Sequence, residues 1–332
     1  MSVTFSGGIT FTGGGFSFTA APPAEATYGW FGGGLAGATA APPRSYVSSV
    51  QRIEYANDTT TASVRGSLTL ARSEIAGTGN TDYGWFGAGF TYPPSVVRST
   101  VDRITYATDT ATASSRGPLL LATSFLAAAG TSTAGWWGGG RDPGSVSIST
   151  VQRITYATDT ATASQRGPLY QSTGLGQFGL AATTDKTTYG WYAGGFAPSF
   201  STVNRITYAT DTGTSSVRGP LSAGRYYLAG TGNSNYGYYA GGYPLTTSFQ
   251  RITYATDTNT ASVRGTLTYS STALSATGND TYGYFAGGYV PTPLFSQVDR
   301  ITFATDTTTA SARGALATYV AWSGSSTNTL YA

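Results

Sequence analysis

The chain has 332 residues, only 10% of them charged, and its 18 basic and 15 acidic side chains give a formal net charge of +3. It contains no histidine and no cysteine, which removes the commonest general base, the commonest metal ligand, thiolate chemistry and disulfide bonds. The only lysine is Lys186 and the arginines recur at regular spacing, so no basic patch for nucleic acid is predicted. We predict no catalytic residue, no metal site and no cofactor.

The first 27 residues, MSVTFSGGITFTGGGFSFTAAPPAEAT, are rich in glycine and carry no charge before Glu25. No lysine or arginine precedes Arg44, so no secretory signal is predicted. No segment approaches the roughly 20 apolar residues that span a bilayer, so membrane insertion is not predicted either. A segment this short cannot bury enough surface to fold alone. Residues 1–27 are therefore predicted to be an arm that packs on residues 28–332 or pairs with another chain.

A short motif of aromatic residues followed by glycines, termed the aromatic word, occurs six times. Its aromatic residues alternate to both faces of a predicted strand, which favours a core strand over exposed rings that stack on sugars. Glycine at the end of the word permits close backbone approach or a positive φ. The six copies begin at Tyr28, Tyr83, Ala134, Tyr189, Tyr236 and Tyr282.

A second phrase, VQRITYATDTATASQRGPL at residues 151–169, also has six copies. Period-two alternation, a polar TDTA segment and a short strand ending in Arg-Gly are typical of a β-hairpin. If the turn is centred on TDTA, Arg153 faces Arg166 directly, which is unfavourable. The repulsion between the two arginines would have to be compensated by Asp159 or its counterpart in the next repeat, by backbone carbonyls, or by a bulge that shifts the register.

The arginines and aspartates of this phrase have two interpretations. They could form an anion or glycan-acid site, or a structural ladder present in every repeat. Recurrence in all six copies favours the ladder, because a binding site usually needs one repeat that differs. The residues are Arg52, Asp58 and Arg65; Arg103, Asp109 and Arg116; Arg153, Asp159 and Arg166; Arg205, Asp211 and Arg218; Arg251, Asp257 and Arg264; and Arg300, Asp306 and Arg313.

A further strand precedes each aromatic word, for example SFLAAAGT from Ser124 and RYYLAGTG from Arg225. Four strands in each repeat of about fifty residues predict an all-β propeller of six four-stranded blades. For the first blade the missing strand is expected in TYVAWSGS, from Thr318 at the C-terminus, which would close the ring. Residues 28–332 would then be one domain.

The order of these strands, with the glycine doublet and the V-x-R-I-x-Y strand, resembles the kelch-type β-propeller over about residues 28–325. The kelch tryptophan of the fourth strand is absent, since Ala163 and Ser164 stand there. The resemblance implies the architecture and leaves the function open, because propellers host many activities.

The loops after the aromatic words differ between repeats, and variable loops on a rigid scaffold are frequent binding sites. Their residues that break the repeat are the predicted binding candidates, against the alternative of simple loop drift. They are Tyr92, Arg98, Arg141, Asp142, Tyr243 and Phe295.

The opening MSVTFSGGITFTGGGFSF resembles the starts of virion structural proteins of marine, cyanophage-like tailed phages. This resemblance implies a non-enzymatic virion protein that is displayed on the particle and attached to other virion proteins through residues 1–27, with a homo-oligomer as one form of assembly. The alternative is a lectin or host adhesin whose loops bind surface glycan. An enzyme is not predicted, because histidine and cysteine are absent and the three glutamates, Glu25, Glu54 and Glu74, do not occupy equivalent positions of the repeat. Catalysis would require a carboxylate or tyrosine of strongly perturbed pKa in a cleft, which the sequence does not reveal.

Overall fold

The computed structural model describes residues 8–12, 15–19, 26–37, 45–170, 176–196, 200–290 and 294–328. Within these residues the secondary structure consists of β-strands and short 3₁₀ turns. The strands form six four-stranded antiparallel sheets and three smaller ones. The predicted all-β class is confirmed, and the arrangement of four-stranded sheets is propeller-like.

The six large sheets are numbered 1 to 6 here, and their strands are given in order of pairing. Sheet 1 contains Gly324–Thr327, Tyr28–Gly32, Ser49–Glu54 and Ser63–Ser67; sheet 2, Ala76–Gly79, Tyr83–Gly87, Val101–Thr105 and Ser114–Arg116; sheet 3, Ala127–Gly130, Ala134–Gly138, Val151–Thr155 and Ser164–Arg166; sheet 4, Ala181–Thr184, Tyr189–Ala193, Val203–Thr207 and Ser216–Arg218; sheet 5, Ala229–Gly232, Tyr236–Ala240, Ser248–Thr253 and Ser262–Thr266; and sheet 6, Ser275–Gly278, Tyr282–Ala286, Val298–Thr302 and Ser311–Arg313.

Between the third and fourth strands of every sheet lies one 3₁₀ turn. The turns span Tyr55–Asn57, Tyr106–Thr108, Tyr156–Thr158, Tyr208–Thr210, Tyr254–Thr256 and Phe303–Thr305. The small sheets are Gly8–Thr12 with Gly15–Thr19, Phe90–Thr91 with Val96–Val97, and Tyr319–Ala321 with Leu35–Gly37 and Ser45–Tyr46.

The hairpin register differs from the prediction. Arg153 pairs with Ser164, and Arg166 pairs with Val151, so the two arginines are not directly opposite one another. The reason is the 3₁₀ turn, which removes Tyr156 from the strand and lengthens the connection. The shift by two residues keeps both arginines on the same face of the sheet.

The first strand of sheet 1 is supplied by the C-terminal part of the chain. Gly324 pairs with Gly32 and Thr327 pairs with Gly29. The strand therefore begins later than the predicted TYVAWSGS, whose Tyr319–Ala321 instead pairs with Leu35–Gly37. The first strands of successive sheets are neighbours, and that of sheet 6 neighbours those of sheets 5 and 1.

The core lies between successive sheets, because the aromatic strand is covered on both of its faces. Trp85 and Phe86 have 0% exposure, and the ring of Trp85 stacks on Tyr156 of the next sheet at 3.7 Å. Equivalent stacks join the other sheets in the pairs Trp30–Tyr106, Trp136–Tyr208, Trp191–Tyr254, Tyr238–Phe303 and Tyr284–Tyr55. The aromatic area buried at each junction stabilises the fold.

The N-terminal arm contains a β-hairpin in which Gly8 pairs with Thr19 and Thr12 with Gly15. Residues 1–7, 13–14 and 20–25 of the arm lie outside the described residues. Ala26 is 4% exposed within the core of sheet 1, and the carbonyl of Thr27 accepts a hydrogen bond from the amide of Tyr55 at 3.0 Å. Ala26 and Thr27, the last two residues of the predicted arm, therefore pack on the sheets.

Candidate functional site

The repeated aspartates lie at the junctions between sheets. Asp109 accepts hydrogen bonds from Arg52 at 3.0 Å, from Nε of Arg65 at 2.8 Å and from the indole of Trp30 at 2.8 Å, all three in the preceding sheet. Burial raises the pKa of Asp109, but these donors and the two positive charges outweigh it, so that the pKa lies below its ordinary value. The same arrangement lowers the pKa of Asp306.

Five further junctions repeat this arrangement of two arginines and one aromatic donor around an aspartate. They are Arg103, Arg116 and Trp85 on Asp159; Arg153, Arg166 and Trp136 on Asp211; Arg205, Arg218 and Trp191 on Asp257; Arg251, Arg264 and Tyr238 on Asp306; and Arg300, Arg313 and Tyr284 on Asp58. The compensating aspartate thus comes from the next repeat, and the clusters tie one sheet to the next.

A belt of backbone hydrogen bonds lies where the first strands begin. The residue two positions before each first strand has a positive φ between 54° and 67°, and its amide donates to the carbonyl of the equivalent residue in the preceding sheet. The bonds run from Glu74 to Trp322, Phe125 to Glu74, Gly179 to Phe125, Tyr227 to Gly179, Ala273 to Tyr227 and Trp322 to Ala273, with lengths of 2.6–3.1 Å. The donors and acceptors form a closed cycle.

The side chains of the belt differ from one repeat to the next, since its six equivalent positions hold six different residue types. Three of them are aromatic: the ring of Tyr227 lies 5.0 Å from Phe125 and 6.2 Å from Trp322, between centroids. With Glu74 they line a cavity of about 70 Å³. Five further rings extend this aromatic cluster outward, namely Phe178, Phe196, Tyr226, Tyr243 and Tyr289.

Polar groups are placed at the edge of the aromatic cluster. Burial raises the pKa of Glu74 to about 7, although a hydrogen bond with Ser124 and the charge of Arg141 lower it in part. The guanidinium of Arg141 lies over the ring of Phe178 at 4.6 Å. The indole N–H of Trp322 is buried and has no hydrogen-bond partner among the described residues. A buried donor of this kind is uncommon in proteins.

Exposed apolar side chains are concentrated at the same end of the sheets. Of the eleven large hydrophobic residues that are exposed in the described part of the chain, three lie on outer strands, Val64, Val217 and Val263. The other eight lie in the connections around the belt: Tyr92, Leu120, Leu121, Val146, Tyr170, Phe196, Tyr243 and Leu245. Most of the large hydrophobic residues that are exposed in the described part of the chain therefore lie at this end.

The structure brings some of the predicted loop candidates to this cluster. The guanidinium of Arg141 contacts the cluster at the ring of Phe178. The ring of Tyr243, which is 50% exposed, lies 5.3 Å from the ring of Tyr226. Asp142 accepts a hydrogen bond from the amide of Val146 at 2.8 Å and so shapes its own loop.

The other candidates belong to separate loops. Tyr92 is 61% exposed and packs beside Tyr46. Arg98 donates to the hydroxyl of Thr91 at 3.2 Å. The ring of Phe295 lies 4.9 Å from Tyr269 and is partly covered. Arg98 therefore stabilises its own loop, whereas Tyr92 and Phe295 pack on rings outside their own loops.

Sequence reasoning missed Glu74, Phe125, Tyr227 and Trp322. A usable signal was present, because these residues occupy one position of the repeat and differ there, while the residue that follows is isoleucine or leucine in five of the six repeats. Their proximity depends on long-range backbone pairing, which the repeat period alone does not contain.

Among the described residues no group of three or more acidic or other metal-ligating side chains could hold a metal ion. Nor does that part of the chain contain a helix long and apolar enough to cross a membrane. No protein-family model matches the chain, and a search of curated proteins finds no relative.

Proposed function

We propose that the chain is a non-enzymatic binding and structural protein: a closed, six-bladed, kelch-like propeller that recognises carbohydrate with the aromatic cluster and is held on a phage particle by its arm. The closed ring is supported by the cycle of six backbone hydrogen bonds and by the pairing of Gly324–Thr327 with Tyr28–Gly32. It is also supported by the ion pairs from Arg300 and Arg313 of sheet 6 to Asp58 of sheet 1.

Carbohydrate suits the aromatic cluster because sugar rings present flat C–H faces to aromatic rings and hydroxyl groups to nearby polar atoms. The observation that carries the proposal is the joint position of three rings, a buried carboxyl and an unpaired indole N–H at one cavity. Glu74 would accept from a sugar hydroxyl when it is ionised, and Trp322 would donate to one.

Binding rather than hydrolysis is favoured by the surroundings of Glu74. Glycoside hydrolysis uses two carboxyl groups that flank the scissile bond. Among the described residues the side chains that interact with Glu74 are Ser124, Arg141, Tyr46 and Tyr227, and none supplies a second carboxylate.

A glycan array with the intact protein and three variants tests this proposal. We expect saturable binding that falls roughly tenfold or more in Tyr243→Ala and Trp322→Leu, since stacked aromatic anchors each contribute one to several kcal/mol. Tyr170→Ala is the matched control, because Tyr170 is similarly exposed, at 43%, and its ring belongs to none of the aromatic pairs of the cluster. Silence of the wild-type protein over a broad array, or equal losses in all three variants, would contradict the assignment.

The attachment of the protein to a particle rests on the resemblance of its N-terminus and is compatible with a β-hairpin that precedes the sheets. Exchange of strands between arms or with another virion protein would provide the contact. We expect the full chain to form a defined oligomer in light scattering after size exclusion, and residues 26–332 to be a monomer. The cut is placed after residue 25 because Ala26 belongs to the core. Equal masses would refute self-association through the arm, and far-UV circular dichroism verifies that the shortened chain is folded.

A further inference from the structure

The first tyrosine of the aromatic word covers an arginine in five of the six sheets. The guanidinium carbon lies 4.2–4.5 Å from the ring centroid in each pair. This distance is that of a cation–π stack. The pairs are Tyr28 with Arg52, Tyr83 with Arg103, Tyr189 with Arg205, Tyr236 with Arg251, and Tyr282 with Arg300.

Sheet 3 lacks this ring, because Ala134 occupies the position of the tyrosine. The side chain of Arg153 is 28% exposed, whereas the five equivalent arginines are 18–21% exposed. Thr155, which pairs with Ala134, is exposed, whereas the threonine at this position in sheets 2, 4, 5 and 6 is partly covered. The missing side chain therefore leaves one face of a guanidinium open in a single repeat.

A groove of about 520 Å³ lies at this position between sheets 3 and 4. Its lining includes Ala134, Arg153, Trp136, Tyr208 and Lys186, with several threonine and serine hydroxyls. The equivalent groove between sheets 1 and 2 is about 420 Å³, contains the ring of Tyr28 and is not lined by Arg52. The two grooves thus form an internal comparison. The groove between sheets 3 and 4 has Arg153 and Lys186 in its lining, whereas the groove between sheets 1 and 2 has the tyrosine ring.

We propose that this groove binds a ligand through a phenol ring, which stacks on Arg153 in the place that tyrosine occupies in the other repeats. The positive charges of the groove are already compensated, since Arg153 pairs with Asp211 and Lys186 with Asp280. A simple anion would therefore gain little from them. The face of the guanidinium is uncovered, and the chain itself places a tyrosine ring on that face five times.

The site lies at the end of the sheets opposite to the aromatic cluster. Ala134 and Thr155 pair where the second strand begins and the third strand ends, whereas the belt residues precede the first strands. The phenol site is therefore independent of the proposed carbohydrate site, and loss of one leaves the other in place.

The test is a titration of the full chain with p-cresol, followed by the indole ¹H–¹⁵N signals of the tryptophans. We expect the signal of Trp136 to shift in the wild-type protein, and the affinity to fall roughly tenfold or more in Ala134→Tyr, whose own ring fills the place. Tyr189→Ala should uncover the equivalent face of Arg205 in sheet 4, and we expect this variant to gain a p-cresol response at Trp191.

Equal responses of the wild type and Ala134→Tyr would overturn the proposal, as would no response of Trp136 at millimolar p-cresol. If Ala134→Tyr fails to fold, Tyr189→Ala still decides, because absence of a new response at Trp191 in that folded variant contradicts the stacking argument. A second titration with N-acetyl-tyrosinamide separates the sources of the ring. Tighter binding than p-cresol assigns the site to a tyrosine side chain of another protein, and equal or weaker binding assigns it to a small phenol.

Discussion

Arg72 and Asp102 form an ion pair in which both side chains are completely shielded from solvent. Nη1 of Arg72 lies 2.7 Å from Oδ2 of Asp102, and other guanidinium N–H groups donate to the carbonyls of Phe86 and Ala88. The amide and hydroxyl of Thr69 donate to the same carboxylate. The pair joins the connection that enters sheet 2 to the third strand of that sheet, and its hydrogen bonds are satisfied on both sides.

The first prediction concerns removal of one partner of this pair. Asp102→Asn leaves the cation of Arg72 buried and uncompensated, and we expect a loss of about 3–5 kcal/mol in the free energy of unfolding. The double variant Arg72→Met with Asp102→Asn should recover part of this loss, because no unpaired charge remains. Urea denaturation measures both, and Glu54→Gln, an exposed carboxylate, should change stability by less than about 0.5 kcal/mol. If Asp102→Asn lowers the free energy of unfolding by no more than Glu54→Gln does, this result refutes the argument.

The second prediction compares two glycines. Gly287, the first of a doublet, has φ +65°, and an added Cβ would lie 2.3 Å from the backbone oxygen of Val320. The equivalent position of sheet 2 holds Ala88 at φ +66°, so the left-handed conformation alone tolerates alanine. Gly287→Ala should nevertheless destabilise the protein by about 1–3 kcal/mol, because the backbone at Val320 would have to move. Gly213, in a TDT turn, has nothing within 4 Å of such a Cβ, and Gly213→Ala is the control. Equal midpoints of unfolding for the two variants would show that the doublet does not require glycine.

Much of the fold could be predicted because its rules are local. Alternation of side chains locates the strands, and the aromatic words identify the strand that is buried on both faces, as Trp85 and Phe86 demonstrate. The hairpin register was predicted incorrectly for a local reason as well. Tyr156 fits the alternation of the strand, but its backbone enters a 3₁₀ turn, and a shift by two preserves every face, so that the pattern could not exclude it.

The belt and its side chains could not be predicted because they depend on pairing over long distances in sequence. Glu74 and Trp322 are joined by a backbone hydrogen bond although about three quarters of the chain separates them in sequence. Period-two patterns contain no signal for such contacts. The groove at Ala134 could be predicted only in part. The missing tyrosine is visible in the sequence, but only the structure shows that a tyrosine at this position covers an arginine, as Tyr189 covers Arg205 in the neighbouring sheet.

The third prediction concerns stability in acid. In the folded protein the pKa values of Asp109 and Asp306 lie below their ordinary value, because their hydrogen bonds and arginine charges outweigh the effect of burial. A carboxyl of this kind stabilises the fold above its unfolded pKa, near 4, and loses that contribution as the pH falls through its folded pKa. We expect the free energy of unfolding to drop steeply below about pH 4. The drop should be smaller in Asp109→Asn, which is less stable at pH 5 but has one titrating group fewer.

The last prediction concerns the opposite pH range and the carboxyl of Glu74. Burial raises its pKa to about 7 in the fold, whereas in the unfolded chain it titrates near 4.3. Between pH 4.3 and about 7 the folded state keeps Glu74 protonated, whereas the unfolded chain has lost this proton. The contribution of Glu74 to the free energy of unfolding is therefore fully present below the unfolded pKa and is lost as the pH rises towards 7. We expect Glu74→Gln to remove this decline and to be more stable than the wild type at pH 8 by roughly 1–3 kcal/mol. Glu54→Gln should keep the decline, and parallel pH profiles of Glu74→Gln and the wild type would show that Glu74 is ionised in the fold without cost.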